Sequence, residues 1–163
     1  MDYVQSRSYR APEVFLGHKY DCRIDIWSLG AVLAELFSGY VLFQSNSQTA
    51  WLGKIAGVVG PFSDAYLAEG KNSSLHFTHS GVLFEQQEDS SYHLVYSKKT
   101  TLAQRMHLTK EIEANPEGDE ALFIDFLRTL LQINWRERPT ATQALTHPWL
   151  IGALENDVTY DPL

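Results

Sequence analysis

Ser8-Tyr-Arg-Ala-Pro-Glu13 leads into Asp25-Ile-Trp-Ser-Leu-Gly30, and that second stretch opens the densest apolar run of the chain. From Ile24 to Phe37 only Asp25, Ser28, Gly30 and Glu35 interrupt a series of Ile, Trp, Leu, Ala, Val and Phe. A helix that is apolar on nearly all sides is expected to be buried on all sides. Asp21 stands where it can cap the start and Gly39 lies just past the end, the usual asymmetry of polar N-cap and C-terminal glycine. These signals predict a central helix over about 22 to 38.

Working outward, Trp51, Leu52, Ile55, Ala56, Val58 and Val59 recur at helical spacing, with Ser47 as a cap and Gly60-Pro61 as the stop. Leu122, Phe123, Phe126, Leu127, Leu130 and Leu131 form two ridges four residues apart, with Asp119 and Glu120 at the end where the helix dipole favours acids. Thr140-Ala-Thr-Gln143 has capping-box spacing ahead of Ala144 and Leu145, and His147-Pro148 is read as its close.

Between the second and third of these helices lie about 55 mostly polar residues, too many for a plain loop in a compact domain. Gly81-Val-Leu-Phe84 and Tyr92-His-Leu-Val-Tyr96 are rich in β-branched and aromatic residues and flank the polar segment 85–91, which predicts a small hairpin. Lys98 to Pro116 reads as irregular.

The whole chain has 163 residues, 44% hydrophobic and 20% charged, the size and balance of one ordinary domain. With 13 Lys and Arg against 20 Asp and Glu the formal charge is −7, which offers no basic field for nucleic acid or an anionic membrane surface. The single cysteine, Cys22, excludes an internal disulfide or a Cys-built metal site and suits a reducing compartment. No basic-then-apolar leader follows Met1 and no run of about 18 apolar residues occurs, so a protein resident in the cytoplasm or nucleus is expected.

Other polar residues give weaker leads. His76, His79 and His93 have no recognised metal-binding spacing and read as surface histidines. Segment 85–89 reads as a solvated turn. Ser28 has no neighbouring base in sequence to make it a nucleophile, and Cys22, between Asp21 and Arg23, carries no sign of activation.

Ser8 to Glu13 followed by Asp25 to Gly30 closely resembles the activation-segment end and following helix of protein kinases, in which Ala-Pro-Glu is a signature element. Arg136-Glu-Arg138-Pro-Thr140 and His147-Pro-Trp149 match the pattern kinases show near their C-terminal end. Arg10 directly before Ala-Pro-Glu is typical of the branch holding the cyclin-dependent, mitogen-activated and dual-specificity tyrosine-regulated groups. The run from Tyr3 to Arg10 is similar to the last of these. Val58-Val-Gly-Pro61, the hairpin, Leu102, Phe126 and Tyr160-Asp-Pro162 are similar to the plant-type subgroup of that family. The resemblance implies a mainly α fold, a partial kinase C-terminal lobe over 1–150 with an insert at about 61–116 carrying the hairpin, and a tail over 151–163.

The same resemblance implies roles for individual residues. Glu13 forms a buried ion pair with Arg138, and losing one partner of such a pair costs roughly 3 to 5 kcal/mol because the other charge is stranded. In kinases the residue equivalent to Asp25 accepts bonds from the backbone of the catalytic loop, which is missing from this sequence; from the residues alone Asp25 is either a cap near the helix start or a defect in an apolar helix. Trp27 reads as a core aromatic, and Gly30 belongs to the same structural motif. Arg7 and Arg10 reach the phosphorylated form of Tyr3, where a phosphate of charge near −2 makes several charge-assisted bonds. Gln5 to Arg10 otherwise shape the pocket for the residue after a substrate's phosphorylation site.

Phosphoryl transfer by a kinase needs a Gly-rich cover, a strand lysine, a helix glutamate, a His-Arg-Asp loop with its asparagine and an Asp-Phe-Gly, and none of these occurs in the 163 residues. All precede the position of Tyr3 in a kinase, so truncation is the expected cause. The chain is thus expected to hold no catalytic residue, no metal and no cofactor, although a complete parent uses ATP and Mg²⁺. Its expected partners are a protein substrate or the missing kinase half. The alternative is a pseudokinase-like binding module or scaffold. Helices that would surround the central one in a complete kinase are absent, so several large apolar side chains are expected at the surface, each forgoing about 1.5 to 3 kcal/mol of burial.

Overall fold

In a computed structural model the described residues are 6–87 and 89–156. The chain begins with a 3-10 turn, Arg7–Tyr9, and a short helix α1, Pro12–Leu16. Pro12 sits in the first turn of α1, where its fixed φ suits the helix and its missing N–H is no loss. Gly17 ends it at φ +75°, with the Asn72 side chain 3.0 Å from where a Cβ would stand. Any larger residue would be both strained and crowded there.

The central helix α2, Arg23–Ser38, falls within the predicted limits. Asp21 accepts a hydrogen bond from the Arg23 N–H at 2.9 Å, and Gly39 closes the helix in the left-handed conformation. One face carries Trp27, Ala31 and Ala34 into the core; Trp27 stacks on Phe43 with ring centroids 5.5 Å apart. Burial on all sides is not what the helix shows. Leu29, Val32 and Leu36 stay exposed, Leu36 at 75%, and their spacing places them in one stripe with Asp25 at its N-terminal end. Apolar composition around the whole helix had suggested more cover than the described residues supply.

Helix α3, Gln48–Val58, is capped by the Ser47 side chain, and it buries Trp51, Leu52 and Ile55 completely. Helix α7, Asp119–Leu130, lies against α2, and the contact is close: a Cβ on Gly30 would come within 3.0 Å of Leu130 and Leu131. Helix α8, Ala141–Ala144, has the predicted capping box from Thr140 and Gln143.

The hairpin is present as β1, Leu83–Gln86, and β2, Tyr92–Val95, antiparallel with Leu83 opposite Val95 and Gln86 opposite Tyr92. Leu83 and Val95 meet α3 around Gly53, so the insert packs onto the main body through both strands. The remaining segments hold helices that the sequence reading did not place. Helix α4, Asp64–Glu69, capped by Ser63, opens the insert. Segment 98–116 is not wholly irregular, since it contains α5, Leu102–Arg105, with a Thr101–Gln104 capping box, and α6, Thr109–Ala114. Such short helices offer too few turns for a periodic signal. Helix α8 ends at Ala144, ahead of His147-Pro148 as expected, and Pro148 also opens a further helix, α9, Pro148–Asn156. Proline at a first helical position favours this start, and Trp149 packs on Phe123 and Phe126.

Candidate functional site

The fold brings α1 and the segment after α7 together at Glu13 and Arg138, both essentially inaccessible to solvent. Arg138 Nη1 donates to Glu13 Oε1 at 2.6 Å and Nη2 to Oε2 at 3.0 Å, the parallel two-bond geometry that guanidinium and carboxylate favour. Its other donors go to backbone: Nε and Nη2 to the Gln132 carbonyl, and Nη1 to the Arg23 carbonyl. The guanidinium also lies over the Trp27 ring, 5.2 Å from its centroid. One arginine therefore ties α1, the start of α2 and the segment after α7 to a single point. A buried charge pair with every donor used is the form in which such a pair is tolerated.

A second tie holds the turn before α1. The Tyr9 hydroxyl donates to Glu35 Oε2 at 2.6 Å, and the Ser28 hydroxyl donates to the Tyr9 carbonyl at 2.8 Å. Hydrogen bonding to the Glu35 carboxylate, with burial and the carboxylate's charge adding to it, raises the Tyr9 phenol above its ordinary pKa. The segment 7–13 is thus fixed to α2 at Tyr9 and to Arg138 at Glu13. Sequence reading did not foresee the Tyr9–Glu35 bond and gave no role to Glu35, Gln132 or the Arg23 carbonyl. The available signal was Glu35 itself, an acid within the apolar run.

The predicted residues fall in different places. Glu13, Trp27, Gly30 and Arg138 converge in the core. Asp25 lies apart from them, exposed in the first turn of α2 with no side-chain hydrogen bond among the described residues. Arg7 and Arg10 are half-buried at the surface of the same segment, and Arg7 Nη1 donates to the Asn46 carbonyl at 3.4 Å. Tyr3 and Gln5, with the Tyr160-Asp-Pro162 resemblance, lie outside the described residues. Ser28 serves as a backbone tie. His79 and His93 are exposed, as expected of surface histidines, whereas His76 is half-buried: it tilts against Phe15 with centroids 4.9 Å apart, and burial lowers its pKa.

A buried histidine that the sequence did not single out is His18, stacked on Tyr66 at 4.2 Å. Neither of its ring nitrogens nor the Tyr66 hydroxyl has a hydrogen-bond partner among the described residues. Burial lowers the pKa of His18 and pushes the Tyr66 phenol far above its ordinary range.

This arrangement, an Ala-Pro-Glu helix locked by a late arginine beneath a long apolar helix, is that of a protein kinase C-terminal lobe. The family profile described as protein kinase domain matches residues 1–150, and the chain belongs to the protein kinase family. Within that family it is similar to serine/threonine and dual-specificity kinases. It is 34% identical to serine/threonine-protein kinase ppk15 of Schizosaccharomyces pombe, over 93% of this chain and 32% of that protein. To the putative dual specificity tyrosine-phosphorylation-regulated kinase 3 homolog of Drosophila melanogaster it is 37% identical, over 91% of this chain and 19% of the relative. To dual specificity tyrosine-phosphorylation-regulated kinase 3 of Rattus norvegicus it is 33% identical, over 98% and 28%. The chain spans about a fifth to a third of the length of these relatives and carries part of a kinase domain.

A complete protein kinase uses ATP and Mg²⁺. No group of three or more His, Cys, Asp or Glu that could hold a metal ion occurs among the described residues, and Asp21 is engaged with Arg23. No helix among the described residues is long and apolar enough to cross a membrane.

Proposed function

We propose that these residues form the substrate-facing part of a dual-specificity or serine/threonine protein kinase of the tyrosine-regulated group, within its plant-type subgroup. The observation that carries this reading is the double anchoring of segment 7–13 by Tyr9–Glu35 and Glu13–Arg138. It gives a loop carrying Arg7 and Arg10 a fixed shape, and substrate positioning is a large part of phosphoryl transfer. Arg7 and Arg10 bind phosphorylated Tyr3, with Gln5 beside them shaping the pocket for the residue after the substrate's acceptor. In the complete enzyme the apolar stripe Leu29–Val32–Leu36, with Asp25 at its end, receives the rest of the lobe, including the catalytic loop. The hairpin insert supports the subgroup.

The polypeptide of 163 residues is expected neither to bind ATP nor to transfer phosphate by itself. The lysine, the metal ligands and the catalytic aspartate of a kinase are not among its residues. The test is a chimera in which the chain replaces the matching segment of the rat relative, assayed with radiolabelled ATP and a basic protein substrate beside the isolated chain. Transfer by the chimera that Glu13→Ala abolishes, with none by the isolated chain, is the expected result. A folded chimera without activity, or Glu13-dependent transfer by the isolated chain, would overturn the reading.

A further inference from the structure

A groove of about 620 Å³ runs between the last turn of α3, the segment 99–104 that enters α5, and the C-terminal part of α7. Its apolar surface comes from Ala56, Val59, Pro61 and Leu102, and its charged groups are Lys99 and Arg128. None of its lining residues is acidic, although the chain as a whole carries −7. Neither cation makes a side-chain hydrogen bond or ion pair among the described residues. We propose that this groove docks an acidic peptide segment of a partner protein, its carboxylates meeting Lys99 and Arg128 and an apolar side chain resting on the surface between them.

Two effects oppose such a ligand. Carbonyls at the C-terminus of α3 contribute a negative end equivalent to about half a charge, confined to the last turn. Thr100 N–H already caps the Gly57 carbonyl there at 2.9 Å, and Arg128 stands in the last turn of α7, whose C-terminus adds a second half-charge; two full positive charges still exceed these two half-charges. The general negative charge repels an acidic peptide at a distance, but beyond about 8 Å that field is screened at physiological salt. At the groove the local cations decide. The proposal is independent of the kinase reading, since the groove is formed by the far ends of α3 and α7 and contains none of segment 7–13.

The test uses the full chain and a fluorescein-labelled peptide alternating glutamate with leucine, read by anisotropy, with its glutamine counterpart as control. Saturable binding of the glutamate peptide, weakened about tenfold or more by Lys99→Glu with Arg128→Glu and weakened by added salt, is the expected result. The milder Lys99→Gln with Arg128→Gln variant, its fold checked by circular dichroism, serves if charge reversal disturbs folding. Salt titration of the unaltered chain requires no variant. Equal binding of the glutamine peptide, binding unmoved in a folded variant, or no saturable binding would overturn the proposal. The first two outcomes would leave Lys99 and Arg128 as ordinary helix-end charges.

Discussion

Arg138 holds both carboxylate oxygens of Glu13 across 125 positions of sequence, in a site from which water is excluded. The bond joins α1 to the segment between α7 and α8. Its loss therefore acts on the whole fold and not on one loop.

Glu13→Ala leaves the Arg138 guanidinium buried with backbone carbonyls as its remaining acceptors, and a stability loss of about 3 to 5 kcal/mol is expected. Replacing both partners with apolar residues of similar volume should recover most of it, because no charge is then stranded. Urea unfolding of the two variants beside the unaltered chain checks both outcomes. A double variant as unstable as the single one would show that the cost lies in packing.

Gly30→Ala sets two effects against each other. Alanine is favoured over glycine inside a helix by about 1 kcal/mol, whereas its methyl group would stand 3.0 Å from Leu130 and Leu131 and push α2 from α7. Overpacking costs about 1 to 3 kcal/mol, so a net loss is expected, visible as a lower Tm in a thermal melt.

His18 gives a pH dependence with a definite sign. Burial lowers its folded pKa below 6.5, against the pull of Glu69 and Glu13 and with Arg136 adding to the decrease. A base whose pKa is lowered by folding keeps full stability above the unfolded value and loses it as pH falls below about 6.5. His76 shifts in the same direction, so His18→Phe should remove only part of the loss. Urea midpoints at neutral and mildly acidic pH measure the difference; an unchanged acid sensitivity in the variant would exclude His18 as its source.

Leu36 is 75% exposed on the apolar stripe of α2. Leu36→Lys should therefore change stability by no more than about 0.5 kcal/mol while reducing self-association of the chain, as measured by light scattering against concentration. A large stability loss would mean that the stripe packs on something within the chain.

Much of this molecule was legible in local patterns. Ser47, Thr140 with Gln143, and Gly39 mark helix ends through hydrogen bonds that close within four residues, so α2, α3 and α8 could be placed from their neighbours. The hairpin followed from two β-rich runs around a polar join. Short helices α4, α5 and α6 carry too few residues to show a period, and Pro148 acts equally as a stop or a start, which left α9 unforeseen.

The resemblance of two sequence motifs to those of protein kinases was enough to name Glu13 and Arg138 as partners, whereas residue chemistry alone would have read them as two solvated surface charges. Only the tertiary structure supplied the carbonyls of Gln132 and Arg23 that complete the arginine's bonds, the Tyr9–Glu35 tie, and the burial of His18 against Tyr66. It also decided which side of α2 is covered: Ala31 and Leu36 are both apolar letters in one helix, yet one is buried and the other faces water. Hydrophobicity is a property of the side chain, whereas burial depends on which distant elements arrive to cover it. That depends on the path of the whole chain.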